Sequence, residues 1–159
     1  RSFPGTSENS MSLNKEAELL KDLPLFSKVD LAKLKLLAFT SERLTYEDNE
    51  IVFNEGDNGD AAYIILDGTA VVSIAQGSKS LELDRIKRGG FVGDISLLCD
   101  VPRTATITAQ DALTTLQIKK DTFFNLIVEF PEIAIEMMRV LASRLDNTSK
   151  QLRDASSKT

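Results

Sequence analysis

The sequence predicts an α+β fold, an antiparallel β-roll or jelly-roll barrel flanked by N-terminal helices and a C-terminal helical pair. Two observations carry this. Apolar residues recur at helical spacing through "VDLAKLKLLAF", switch to short β-branched or alternating runs from Arg43, and return to helical spacing from Asp121. Within the middle stretch, turn signals recur about every 8–12 residues, the rhythm of an all-β barrel or sandwich. Rolling such a sheet on itself also limits the exposed edges that would template aggregation.

Taken in order, Asn14 can cap a first helix through "KEAELLK", with Leu13, Ala17 and Leu20 on one side. Asp22-Leu-Pro breaks it, and the next helix carries Leu31, Leu34 and Leu37 at helical spacing. The runs "RLTYE", "EIVFN", "AAYIILD", "TAVVSIA", "LELDRIK", "TATITA" and "LTTLQIK" then read as strands. Asp48-Asn49 joins the first two, and "EGDNGD" (Glu55 to Asp60) joins the next two. Asp67-Gly68 is a hairpin signal, and Gln76 to Ser80 makes a polar loop. Asp121 can cap "TFFNLIVEF", and Pro131 suits the first position of a helix reaching about Arg153. Along that helix Ile133, Met137, Val140, Leu141, Leu145, Thr148 and Leu152 form one stripe. Its first half packs on the barrel, and beyond Leu145 it is open to a partner helix or acts as a pocket lid. Residues 1–10 read as a tag or disordered leader, 11–153 as one domain whose last helix (131–153) is a lid or dimer helix, and 154–159 as a frayed tail.

Composition removes several function classes. With 159 residues, the chain can bury one sizeable core, and 42% hydrophobic with 27% charged residues is an ordinary globular balance. A formal net charge of −5 disfavours nucleic acid and anionic membranes. No apolar run approaches the roughly 20 residues needed to span a bilayer, so direct membrane insertion is not expected. The single cysteine, Cys99, cannot form an internal disulfide, and a cytoplasmic setting is the simplest expectation. Histidine is absent, which rules out Ser-His-Asp and Cys-His nucleophile systems and any histidine-held metal. A binding domain is the better expectation than an enzyme.

The segment "FVGDISLLCDVPRTATITA", Phe91 to Ala109, concentrates the chemistry. Gly89, Gly90 and Gly93 let backbone approach a ligand closely. "ISLLC" suits a single helical turn whose first amides, at Ile95 and Ser96, are free to meet an anion. Arg103 is charged at any working pH and offers a planar fork for two phosphate oxygens. Asp94 would repel an anion unless it faces a donor, and a ribose hydroxyl is one. The same residues also admit a plainer assignment, with Asp94 as a helix cap, Arg103 as its ion-pair partner and the glycines as turns.

These residues carry a resemblance. From Leu23 to Arg153 the chain resembles the cyclic-nucleotide-binding domain family of bacterial catabolite activators, regulatory subunits of cyclic-AMP-dependent kinase and cyclic-nucleotide-gated channels. The family's phosphate-binding cassette is matched by Gly93-Asp94-Ile95-Ser96-Leu97, then five residues, then Arg103-Thr104-Ala105. Upstream, Gly56, Asp57 and Gly59 followed by "AYIILDG" match its second signature. The resemblance implies that Arg103 binds the exocyclic phosphate, aided by the amides of Ile95 and Ser96 and by Thr104, and that Asp94 accepts from the ribose 2′-hydroxyl. It nominates Val71, Leu83 and Ile86 for the apolar wall beside the base. Asp94 stands where the family usually has Glu, about 1.3–1.5 Å of lost reach on ordinary bond geometry. A water or a small backbone shift restores the contact, or affinity falls up to about tenfold.

The resemblance also bears on ligand and output. "SRLDNTSKQL" resembles the long activator helix and places Arg144, Thr148 and Ser149 toward the base, which favours cyclic AMP; Thr104 is compatible with cyclic GMP too. The same helix residues equally suit a solvated face. The expected protein is a non-catalytic sensor with no cofactor, whose ligand is cAMP first and cGMP second. Its C-terminal helix moves on binding and contacts an effector or a second copy. No basic recognition stripe is present, so DNA contact by this chain is not expected. The alternative is a degenerate, ligand-free interaction module of the same fold.

Overall fold

The computed structural model describes residues 6–157. Helix α1 (Thr6–Lys21) and a short 3-10 turn (Pro24–Phe26) lead into α2 (Leu31–Thr40). Six strands follow, β1 (Glu42–Tyr46), β2 (Ile51–Phe53), β3 (Ala61–Gln76), β4 (Lys79–Ile86), β5 (Phe91–Val92) and β6 (Thr106–Lys119), with the single-turn α3 (Asp94–Leu98) between the last two. Helices α4 (Lys120–Glu129) and α5 (Pro131–Ser157) complete the described chain.

Several local expectations shift. Asn14 lies inside α1 rather than at its cap, because the helix already runs from Thr6. Residues 6–10 of the expected leader are therefore helical, and residues 1–5 lie outside the described residues. Asp121 sits in the first turn of α4 with Lys119 as the cap residue, and no side chain caps the helix. Its carboxylate still opposes the positive helix end. Helix α5 begins at Pro131 as expected but continues past Arg153 to Ser157, with residues 158–159 outside the described residues.

The sheet is antiparallel throughout, in the order β1-β6-β3-β4, with β2 also on β6 and β5 also on β3. It is a roll with two ends rather than a hydrogen-bonded barrel. The β4 end is blunted by charge: Lys79, Glu82, Asp84 and Arg85 are exposed, and Arg85 pairs with Glu82 at 3.0 Å.

Expected hairpins turn out to be bends. Asp67-Gly68 does not reverse the chain; β3 runs straight through it and pairs with β6 from Ala61↔Lys119 to Ser73↔Thr106. The register slips on both sides of Asp67, where Gly68 adopts φ 87° and Asp111, across the bend, adopts φ 55°. The predicted strands "TATITA" and "LTTLQIK" merge likewise into β6. The loop expected over Gln76 to Ser80 shrinks to a tight turn at Gly77-Ser78, since Gln76 already pairs with Lys79.

Both faces of this spine are buried along "AAYII", as the unbroken apolar run requires. One face, with Ile64, Phe91, Leu116 and Ile118, packs on Ala17, Leu20, Phe26, Leu34, Phe123, Ile133 and Met137 of the helices. The other, with Tyr63, Ile65, Ala70, Ile86, Val92, Ile107 and Leu113, fills the inside of the roll. The α5 stripe divides as expected: Ile133 and Met137 are buried, Val140 and Leu141 partly so, and Leu145 and Leu152 are 69% and 65% exposed.

Candidate functional site

Beyond β5 the chain turns through Gly93, which adopts a left-handed φ of 81° and hands the backbone directly into α3. This open conformation is one that side chains disfavour. It buries Asp94, only 2% exposed, at the helix start and Ser96, 5% exposed, beneath it, and leaves Ile95 outward. Arg103, in the loop between α3 and β6, is brought to the same place by the "EGDNGD" loop. Gly56 N–H donates to the Arg103 carbonyl and Arg103 N–H donates to the Asp57 carbonyl, each at 2.8 Å. Residues 46 and 47 positions apart in sequence, one in each signature segment, thus form a short reciprocal pair.

The Arg103 guanidinium is 4% exposed and tightly held. Nη1 donates to the Ser96 hydroxyl at 2.7 Å and to the Gly93 carbonyl at 2.9 Å, and Nη2 donates to the Ala61 carbonyl at 2.7 Å. Its carbon lies 4.0 Å from the centre of the Phe53 ring, a cation-π seat. Gly59 makes the room: a Cβ there would stand 2.4 Å from both Cζ and Nε of the arginine. Burial lowers the pKa of Arg103 from its ordinary value, opposed by Tyr63 and by Asp60, Asp57 and Asp94.

A pocket opens over these groups, lined by Phe53, Val72, Val92, Gly93, Asp94, Ile95, Ser96, Arg103, Thr104, Ala105, Ile107 and Arg144. Two buried polar atoms at it have no partner among the described residues, Oδ2 of Asp94 and Nε of Arg103. Leaving such groups unmet costs roughly 1–3 kcal/mol each. Burial pushes the Asp94 carboxyl above its ordinary value, against the pull of its own backbone amide, Arg144 and Arg103. Arg144 reaches the rim from α5, donating to the Phe91 carbonyl at 3.1 Å and lying 5.0 Å from that ring's centre.

Gly93, Asp94, Ile95, Ser96, Arg103, Thr104 and Arg144 are therefore gathered around one pocket. Val71, Leu83 and Ile86 are not among its lining residues. Val71 is one residue out of phase with Val72, so it faces the other side of β3. Leu83 sits at the register slip between Val72 and Ser73 and is 49% exposed, and Ile86 is spent in the inner core opposite Ala70. Thr148 and Ser149 are exposed beyond the rim, and the Thr148 hydroxyl bonds back to the Arg144 carbonyl at 2.9 Å. Sequence reasoning missed Phe53, Val72, Val92 and Ile107; their signal was alternation along β2, β3, β5 and β6, legible only once the strand register is known.

No group of three or more Cys, Asp or Glu among the described residues could hold a metal ion. No helix among them is long and apolar enough to cross a membrane.

Known proteins resemble this chain in sequence and fold. Residues 43–130 match the family model described as "Cyclic nucleotide-binding domain". A cAMP-dependent protein kinase regulatory subunit of Mucor circinelloides f. lusitanicus is 29% identical over 127 residues, 79% of this chain and 30% of that protein. A CRP-like cAMP-activated global transcriptional regulator of Mycobacterium tuberculosis (strain ATCC 25618 / H37Rv) is 27% identical over 139 residues, 86% of this chain and 62% of that protein. Among solved structures, the catabolite activator protein of Thermus thermophilus superposes with a TM-score of 0.72 at 25% identity, covering 84% of this chain and 63% of that one. The chain spans about three tenths of the length of the kinase regulatory subunits it matches. Family model, cassette and roll agree: this chain belongs to the cyclic nucleotide-binding domain family.

Proposed function

We propose that the protein is a non-catalytic regulatory domain that binds a cyclic nucleotide, cAMP by preference and cGMP second, in the pocket between α3 and Arg103. The observation that carries this is the pair of unmet buried groups, Asp94 Oδ2 and Arg103 Nε. An acceptor and a cationic donor within one small pocket suit a ligand that combines a hydroxyl with an anionic phosphate. Arg103 meets the phosphate with the amides of Ile95 and Ser96 and with Thr104, and Asp94 accepts from the ribose 2′-hydroxyl. Val72, Val92 and Ile107 replace Val71, Leu83 and Ile86 as the apolar wall.

Helix α5 supplies the response. Arg144 already touches the cassette through Phe91, so a base entering the pocket must displace Arg144 or recruit it. Either event biases the helix beyond Leu145 between two positions, and Thr148 and Ser149 reach the base only in the closed one. The exposed Leu145 and Leu152 then offer a different surface to an effector or a second copy. Within residues 11–153 we place a single sensor unit working in the cytoplasm, without DNA or membrane contact of its own, in keeping with the net charge of −5.

One observation favours the alternative of a ligand-free module. Three internal acceptors already hold the Arg103 guanidinium, and Asp94 is shorter than the family's usual Glu. Thermal melts with cAMP, cGMP and 5′-AMP, repeated on Arg103→Ala, separate the two. At about 100 times its dissociation constant, a ligand adds about 2.7 kcal/mol, a rise of roughly 5–10 °C for a domain of this size. A rise with one cyclic nucleotide that vanishes in Arg103→Ala supports the sensor; flat melts with all three favour the ligand-free module.

A further inference from the structure

Asparagine occurs at seven positions, and only Asn58 is followed by glycine. Asparagine side chains are among the thermally labile groups of proteins. A following glycine speeds their breakdown, because its backbone nitrogen is unshielded and its backbone turns freely toward the neighbouring amide. Asn58 and Gly59 lie in the "EGDNGD" loop that seats Arg103. No helix or strand holds either residue, and Asn58 is exposed. Among the described residues, the Asn58 side chain has no hydrogen-bond partner, and neither has the Gly59 N–H. By contrast Asn9, Asn14, Asn125 and Asn147 lie within helices, and Asn49 and Asn54 precede glutamates.

Gly59 is also where this loop has least room. A Cβ added there would stand 2.4 Å from Cζ and Nε of Arg103 and 2.8 Å from the Ser96 hydroxyl. Just upstream, Gly56 and Asp57 are tied to the Arg103 backbone. An extra main-chain atom between residues 58 and 59 must therefore shift Gly59 against the guanidinium. A new carboxylate at position 58 would join Asp57 and Asp60, both of which already act on the Arg103 charge.

We propose that Asn58 is a site of spontaneous deamidation whose products loosen the seat of Arg103 and weaken its hold on an anion. The Gly59 nitrogen gives up its proton and bonds to Asn58 Cγ. The bond from that carbon to the side-chain nitrogen breaks, and ammonia leaves. Water then opens the cyclic imide at one of its two carbonyls. One opening leaves aspartate at position 58; the other leaves isoaspartate, with an additional methylene in the main chain. Both add one negative charge, and neither needs an oxidant or reductant. The effect on anion binding rests on the cyclic-nucleotide function proposed above; the covalent step does not.

The test ages the full chain at mildly alkaline pH and compares it with fresh protein. Peptide mapping should show a gain of about 1 Da at Asn58, oxygen replacing the amide nitrogen, ahead of every other asparagine. Protein isoaspartyl methyltransferase should label the same peptide. The Arg103 Nε–H resonance should shift on ageing with no ligand present. Aged protein should bind cAMP about fivefold to tenfold more weakly than fresh protein. Asn58→Gln should escape these changes, and Asn58→Asp, which adds the charge without the methylene, should reproduce part of the loss. Deamidation no faster at Asn58 than at Asn49 or Asn54 would overturn the proposal. So would an unmoved Arg103 resonance, or an unchanged cAMP affinity, after conversion. If fresh protein binds no cyclic nucleotide, the proposed ligand falls, and the mass and resonance changes still decide whether Asn58 converts and disturbs Arg103.

Discussion

Arg103 shows how one residue can be both structural and poised. Its side chain closes contacts with Gly93, Ser96 and Ala61 and rests on Phe53, so the cassette is built around it before any ligand arrives. That preorganisation is what a tight phosphate site needs, since no side-chain freedom is then lost on binding. Asp94 is the opposite case, a buried carboxyl with one oxygen unmet. Burial raises its pKa in the folded chain, so the folded state is penalised for ionising it. The penalty is absent below the ordinary carboxylate range, near pH 4, and complete once pH exceeds the raised value. Asp94→Asn escapes it. The melting temperature of the variant should therefore gain on that of wild type as pH rises from about 4 to 7. Melts over a pH series check this; a difference that stays flat or shrinks with pH would remove burial as the dominant cause. The same change should weaken cAMP by about tenfold, because a neutral amide accepts more weakly from the 2′-hydroxyl.

At the scale of elements, the long strands are the part that local sequence hid. Asp67-Gly68 is a sound hairpin signal, because only glycine takes a positive φ cheaply, and Gly68 does adopt φ 87°. A bulge in a continuous strand needs the same residue, and the choice between them is made by pairing with β6, more than 40 residues away. Helix positions, by contrast, were legible because their stripes are local: Leu34, Leu37, Ile133 and Met137 are buried as their spacing requires. The cassette was legible for a third reason, its residue types being dictated by chemistry rather than by packing. The wall beside it was not, since Val71 and Val72 differ only in which face the register gives them. The bend yields its own prediction. A Cβ on Gly68 would stand 2.2 Å from the Ala112 carbonyl oxygen, and the backbone is already in the region side chains avoid. Gly68→Ala should cost about 2–4 kcal/mol. Denaturant unfolding measures it, and a loss under 1 kcal/mol would show that the bend relaxes at little cost.

Over the whole molecule, a single sheet separates two environments. Its inner face and α3 make the polar pocket of the cassette, and its outer face packs on the helices that hold α5 in place. Helix α5 joins them, buried at Ile133 and Met137, touching the cassette at Arg144, and exposed from Leu145 onward. Its first half is anchored in the core, and its second half is exposed. The measurement that tests this most directly is a backbone NMR titration of the full chain with cAMP. The account predicts saturable shifts at residues 93–96 and 103–105, accompanied by shifts from Arg144 through Leu152, all lost in Arg103→Ala. An unchanged spectrum at millimolar cAMP, or changes confined to residues outside the cassette, would contradict it.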